Sequence, residues 1–431
     1  MKKISKIKFF LIFFCIIALV PFISFETVTN SQDYSPIYKG NLRLSAGTWG
    51  SVINKSIIGA PTDIFIEDVN NDGLNEIITN NENDNNITIL LWNAPSSDWD
   101  VIYLDAEGFI QRFFVGDANN DGFNDIVIPD NRIFLWNDTS SDWDGAIFKS
   151  AGGAFPYDIS IGDANADGYN DILTSVANAF SIMAWNDSSG DWDTPIIHPT
   201  GGEPEEIYLG DANNDGFNDI ISTSVYVIDF NITVDVWNNN LKDWDTQFIL
   251  NAGDNLFDVV VEDVNNDGKN DIIACNGFQD TLSILLWNDT ASYWNDRITL
   301  SIGDTPIYPD ETPIDVIVED VNNDNLNDIV CANFDSDTVS IFLWNDVVGN
   351  WENEITIYVE DEPFGIYIGD ANNDGYNDIA TANYNSASVS IILWHENPTV
   401  IPGYEIYFFL MVISIISIIS IINFKRKSNK I

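Results

Sequence analysis

Nine residues, Asp117 to Asp125, read DANNDGFND, and the same pattern returns seven times, beginning at Asp68, Asp117, Asp163, Asp211, Asp263, Asp320 and Asp370. Successive starts lie 49, 46, 48, 52, 57 and 50 residues apart. A period of this size, held over most of a chain, demands a repeat architecture in which each unit buries its apolar face on its neighbours. The chain is 431 residues long, which alone would suggest two or three domains; the period points instead to one large closed unit.

The pattern has the chemistry of a hard-cation loop. Position 1 is always Asp, as given. Position 3 is Asn70, Asn119, Asn165, Asn213, Asn265, Asn322 and Asn372, and position 5 is Asp72, Asp121, Asp167, Asp215, Asp267, Asp324 and Asp374. Position 9 is Glu76, then Asp125, Asp171, Asp219, Asp271, Asp328 and Asp378. Oxygens at odd spacing, curled around a glycine at position 6, can converge on one ion, with the carbonyl of position 7 adding a ligand. Up to seven Ca2+ ions are the expected cofactor, because calcium takes six to eight oxygens in flexible geometry and the loops hold no Cys or His for zinc or copper. An EF-hand is excluded. Its twelfth position needs a bidentate acid, and here that position holds Thr79, Ile128, Thr174, Ser222, Ala274, Cys331 and Thr381. In the sixth loop Asn325 replaces the glycine, and Asn tolerates the left-handed conformation better than most residues.

Each repeat carries a second signature, two tryptophans seven apart across a polar turn: Trp92/Trp99, Trp136/Trp143, Trp185/Trp192, Trp237/Trp244, Trp287/Trp294 and Trp344/Trp351. That spacing suits a hairpin. The unit reads as an inner strand such as Ile64 to Ile66, the loop, a second strand Glu76 to Ile78, a third ending at Trp92 and a fourth beginning at Trp99. Near-continuous apolar runs mark strands buried on both faces. Seven four-stranded units of this length predict an all-β fold, a seven-bladed β-propeller. Trp394 has no partner downstream, whereas Trp49 lies 19 residues before Asp68, so an N-terminal strand is expected to complete blade seven and remove both free edges. The fixed place of the tryptophans favours packing over a sugar platform.

The run DVNNDGKND, followed by IIACN and later ILLWND, resembles the FG-GAP-like repeats called VCBS, related to the calcium-binding propeller of integrin α subunits. The resemblance covers residues 40–396, although the literal FG and GAP words are absent from their usual places. It implies an extracellular, calcium-stabilised propeller used for adhesion or ligand binding, and it carries over only to loop positions 1, 3, 5 and 9.

The ends differ in composition. Lys2, Lys3, Lys6 and Lys8 precede an apolar run, so residues 1–25 read as a signal peptide or signal anchor, with 26–39 a linker to the propeller at 40–396. After a short linker, 397–404, the apolar stretch 405–424 reads as a transmembrane helix and the basic tail 425–431 as cytoplasmic. This predicts a single-pass cell-surface protein with the propeller outside. Residues 26–402 hold 66 of the 67 acids and nine of the 17 basic residues, a net charge of −57, which seven calcium ions would reduce to −43. Nucleic acid is therefore a poor partner. The expected partner is a surface protein or glycan, beside the membrane met by the C-terminal helix. Cys275 and Cys331 read as core residues rather than a disulfide.

No catalytic residue stands out. The two histidines, His198 and His395, lack a plausible nucleophile or metal partner, and no acid is singular against the repeat. The expected function is an adhesion or ligand-recognition module, not an enzyme. The alternative is an extracellular polysaccharide lyase or glycosidase on a propeller scaffold. Five residues before each loop stand Asp63, Arg112, Asp158, Glu206, Asp258, Asp315 and Gly365, near the mouth of the central channel. They read either as solvated strand ends or as an axial site for a cation or basic ligand. Ligand contacts are expected on the long outward loops around Ile302 to Thr312 and Ser222 to Asn231, since extra length on a rigid scaffold is where binding resides.

Overall fold

The computed structural model describes residues 47–200, 204–224, 231–253, 256–303 and 311–396. Seven four-stranded antiparallel sheets follow one another as the blades of a propeller. In blade 1 the strands are Ile64–Glu67, Glu76–Asn81, Asn86–Asn93 and Asp98–Asp105, running from the axis outward. Second strands such as Glu76–Asn81, Asp271–Asn276 and Asp378–Asn383 are buried at every residue. The cause is that both faces of each blade pack on a neighbour. Ile77 joins a core shared by blades 7 and 1, while the next residue, Ile78, joins the one shared by blades 1 and 2. Seven such cores occur, one at every junction. Cys275 and Cys331 lie in the core between blades 5 and 6 as free thiols, as expected.

The ring closes as the tryptophan arithmetic requires. Ile53–Ser56 forms the outer strand of blade 7 against Ser388–Ile392, with Ile53 opposite Ile391 and Ser56 opposite Ser388. Gly47–Trp49 continues the match against Trp394–Glu396, placing Trp49 opposite Trp394. That pair and the six others pack ring to ring at 4.6–5.0 Å. Such pairs add about 0.5–1.5 kcal/mol each beyond area burial.

One detail departs from the expected unit. In blades 2, 3, 5, 6 and 7 the third strand stops two residues before its tryptophan, at Phe134, Met183, Leu285, Phe342 and Ile392, and the tryptophan pair forms its own short ladder. The tryptophan N–H has left the sheet for another acceptor, described below. Of the expected segments, 1–39 and 397–431 lie outside the described residues. Among the described residues no helix is long and apolar enough to cross a membrane.

Candidate functional site

The seven loops lie between the first and second strands, on one face of the ring. In the first, the Asp68 carboxylate accepts the N–H groups of Asp72 and Gly73, both at 2.9 Å, Asn70 Oδ1 accepts Asp72 N–H at 3.0 Å, and Asp72 accepts Leu74 N–H. The glycine takes φ +90° there, and Asn325 in the sixth loop takes φ +65° with its N–H on Asp320. Positions 1, 3 and 5 thus build the turn themselves.

Position 9 has a role that ligand spacing did not reveal. In blades 2 to 7 its Oδ1 accepts the backbone N–H of the first tryptophan, at 2.7–2.9 Å, for Trp136, Trp185, Trp237, Trp287, Trp344 and Trp394. This acceptor accompanies the break before the tryptophan in blades 2, 3, 5, 6 and 7, and in blade 4 a register shift between Val236 and Trp237 within an unbroken strand. In blade 1 the longer Glu76 binds Asn70 N–H instead, and the third strand runs unbroken through Trp92.

Do these residues fit calcium? Among the described residues no three Asp, Glu, His or Cys side chains are drawn close enough together to hold a metal, and in the first loop N–H groups occupy the carboxylates of positions 1 and 5. Two observations nevertheless favour an ion. Asp271 Oδ2 and Asp328 Oδ2, together with Asn213 Oδ1, are buried without a hydrogen-bond partner, an expensive state for a carboxylate oxygen. Burial, with the nearby carboxylates of positions 5 and 1 adding to it, also pushes Asp271 up to about 7 and Asp328 to about 8. A divalent ion removes both penalties, and the donor set is oxygen throughout.

The loops are also tied to one another. At position 4 stands a residue with φ between +54° and +59° in every loop: Asn71, Asn120, Ala166, Asn214, Asn266, Asn323 and Asn373. Each Asn reaches the Asn at position 8 of the next blade. Asn71 Oδ1 accepts Asn124 N–H at 2.8 Å and its Nδ2 donates to the Asn124 carbonyl at 3.1 Å. Asn124 Nδ2 returns a bond to the carbonyl of Asp68. The last such pair, Asn373 with Asn75, closes the circle. At the junction of blades 3 and 4 Ala166 cannot take part, and only the Asn218 Nδ2 bond to the Asp163 carbonyl remains.

The residues five before each loop line the axis, and the expectation of solvated strand ends is corrected. They are closely surrounded by protein, and Asp158 and Glu206 are buried outright, although Asp63, Asp258 and Asp315 keep part of their surface on the channel. Their carboxylates staple consecutive blades: Asp63 accepts Phe113 N–H, Asp158 accepts Ile207 N–H, Asp258 accepts Val316 N–H and Asp315 accepts Ile366 N–H. Arg112 interrupts the acids and donates to Glu206 at 2.5 Å. Desolvation pushes Asp63 up to about 6 and Glu206 and Asp315 well above the carboxylate range. Gly365 completes the set because a Cβ there would sit 3.1 Å from the backbone of Asp63. The long outward loops at 302–312 and 222–231 lie largely outside the described residues.

Residues 163–222 and 320–381 match the FG-GAP-like repeat family, so the chain carries FG-GAP-like repeats on a seven-bladed propeller. No curated protein matches. Solved structures share the fold at low identity. BBS1N in complex with ARL6DN is 9% identical over 82% of this chain and 98% of that one, at TM-score 0.55. Hydrazine synthase from Kuenenia stuttgartiensis is 12% identical over 80% and 97%, also at 0.55. Virginiamycin B lyase from Staphylococcus aureus is 12% identical over 79% and 98%, at 0.53.

Proposed function

We propose that the chain is a calcium-stabilised, cell-surface recognition module that meets its ligand on the face opposite the seven loops. The observation that supports this most directly is the contrast between the two faces. The loop face is almost uniform, six of the seven loops pinned to a tryptophan and most of them linked by asparagine pairs, which leaves little variety for specificity. The opposite face differs from blade to blade in connection length and sequence. A rigid ring carrying variable connections is the usual layout of a binding scaffold. The axial carboxylates give an enzymatic reading little support, because each of the four stapling acids spends an oxygen on a neighbouring blade's N–H. The test is a screen of the full chain with calcium against arrayed glycans and surface proteins, run beside a polysaccharide-cleavage assay. Saturable binding without cleavage is the expected result. Cleavage abolished by Asp315→Asn, with folding intact, would replace this reading with the glycosidase or lyase.

A further inference from the structure

The repeat is most abbreviated at blade 2, and that is where a cavity opens. Its second and third strands, Asp125–Ile128 and Arg132–Phe134, have four and three residues, where blade 1 has six and eight. The shortened hairpin leaves a hollow of about 320 Å³ on the face opposite the loops, between the connections that enter blades 2 and 3. That volume falls at the small end of the roughly 300–1,000 Å³ typical of small-molecule sites.

We propose that this hollow is a binding site for an uncharged pyranose, a single neutral sugar or the terminal residue of a glycan. This deepens the recognition reading and rests on it. Three features of the wall point to that chemistry. First, Phe109 and Phe148 line the hollow and are 58% and 64% exposed, so two aromatic rings stand open to solvent in one wall. A flat aromatic face can cover the C–H side of a sugar ring. Second, planar polar groups stand beside them, the amide of Gln111 and the carboxylates of Glu107 and Asp130, suited to bridging adjacent hydroxyls. Third, the wall is electrically balanced. Arg132 spends Nε on Asp130, at 2.8 and 2.9 Å, and its two terminal nitrogens on the carbonyls of Ala106 and Phe109. Arg112 is likewise paired with Glu206. An anion would find these guanidiniums already engaged and a strongly acidic molecule around them.

The hollow is also held open before any ligand arrives. The Arg132 bonds clamp the 106–109 connection to the hairpin, and a Cβ on Gly108 would lie 2.9 Å from the guanidinium, so glycine is needed for that clamp. Glu107 and, beside the lining residue Pro156, Phe155 both hold positive φ, at +60° and +54°. Thr312 and Glu362 take the same conformation in the connections entering blades 6 and 7, so the turn geometry around the hollow is that of the repeat.

The experiment is saturation-transfer NMR and titration of the full chain with glucose, galactose, mannose and N-acetylglucosamine, with N-acetylneuraminic acid as the anionic control. At least one neutral sugar is expected to bind. Phe109→Ala and Phe148→Ala are expected to weaken it at least tenfold with an unchanged melting midpoint, since both side chains are largely exposed. Neutral sugars bound equally by wild type and both variants would overturn the site but leave the recognition reading standing. Preference for the anionic control would overturn the ligand class. Absence of sugar binding together with capture of a protein in the surface screen would do the same, and absence of both with polysaccharide cleavage would remove the recognition reading as well.

Discussion

Ala166→Asn offers a direct measure of what the asparagine circle contributes. Ala166 holds φ +57°, matching the 54° to 59° of its six counterparts, so the substituted side chain starts from the right backbone. The neighbouring junctions define the gain: Asn120 makes bonds of 2.7 and 3.0 Å with Asn170, and Asn214 makes bonds of 2.8 and 3.0 Å with Asn270. Two hydrogen bonds at roughly 0.5–1.5 kcal/mol each, plus the easier left-handed backbone of Asn, less the cost of ordering one short side chain, come to about 2 kcal/mol. If the ring melts as one unit, its large unfolding entropy converts this into a rise of only roughly 3 °C. Calorimetry in excess chelator isolates the effect from metal binding. Asn323→Ala is the mirror experiment: it deletes the bonds at 2.8 and 3.2 Å to Asn377 and should lower the midpoint by a similar amount. A loss with Asn323→Ala but no gain with Ala166→Asn would refute the claim that the circle is broken only by a missing side chain.

Calcium should raise the melting midpoint, since an ion bound only by the folded state at ~1,000 times its Kd adds about 4 kcal/mol per site; equal midpoints with calcium and with chelator would remove the metal. Without metal, stability should fall as pH rises. Asp63 has its folded pKa raised to about 6 from 3.8, so the folded state holds its proton more tightly, and stability present below pH ~4 is lost through pH 6, by at most about 3 kcal/mol and less with channel water nearby. Asp63→Asn should flatten that slope in chelator melts between pH 4 and 7; an unchanged slope would place the titration elsewhere. Deleting residues 26–57 removes the outer strand of blade 7 and should cause aggregation through the bared edge, while deleting 26–38 should be tolerated; light scattering that finds the longer deletion monomeric would contradict the closure.

The architecture was legible because its signals are periodic and local. The loop interval, the tryptophan spacing and the unpaired Trp49 and Trp394 together specify blade count and closure, and the structure has Trp49 opposite Trp394. The roles within the loop were less legible. Spacing within the loop assigns position 9 to metal alone, and its bond to Trp136 or Trp394 is hidden because the partner lies 11 to 18 residues away on another strand. The use of Asn at positions 4 and 8, which recurs in nearly every loop, is hidden because each partner sits in the next repeat, 53 residues on for Asn71 and Asn124. The clue was there: an Asn repeated at a position that adds no metal ligand calls for another use. The blade 2 hollow arises from residues that are missing, and its sequence trace is the shortest interval, 46 residues.

The closure also sets a timetable. Ile53 pairs with Ile391, 338 residues later, so the earliest strand of the ring waits for the last blade to leave the ribosome. At ~5–20 residues per second that wait lasts roughly 20–70 s, during which blades 1 to 6 can stack in order while Ile53–Ser56 stays without its partner. Assembly therefore proceeds as an open arc that snaps shut at its end, and a ribosome stalled shortly before Ser388 would hold a nearly complete ring with both rims still available to another chain.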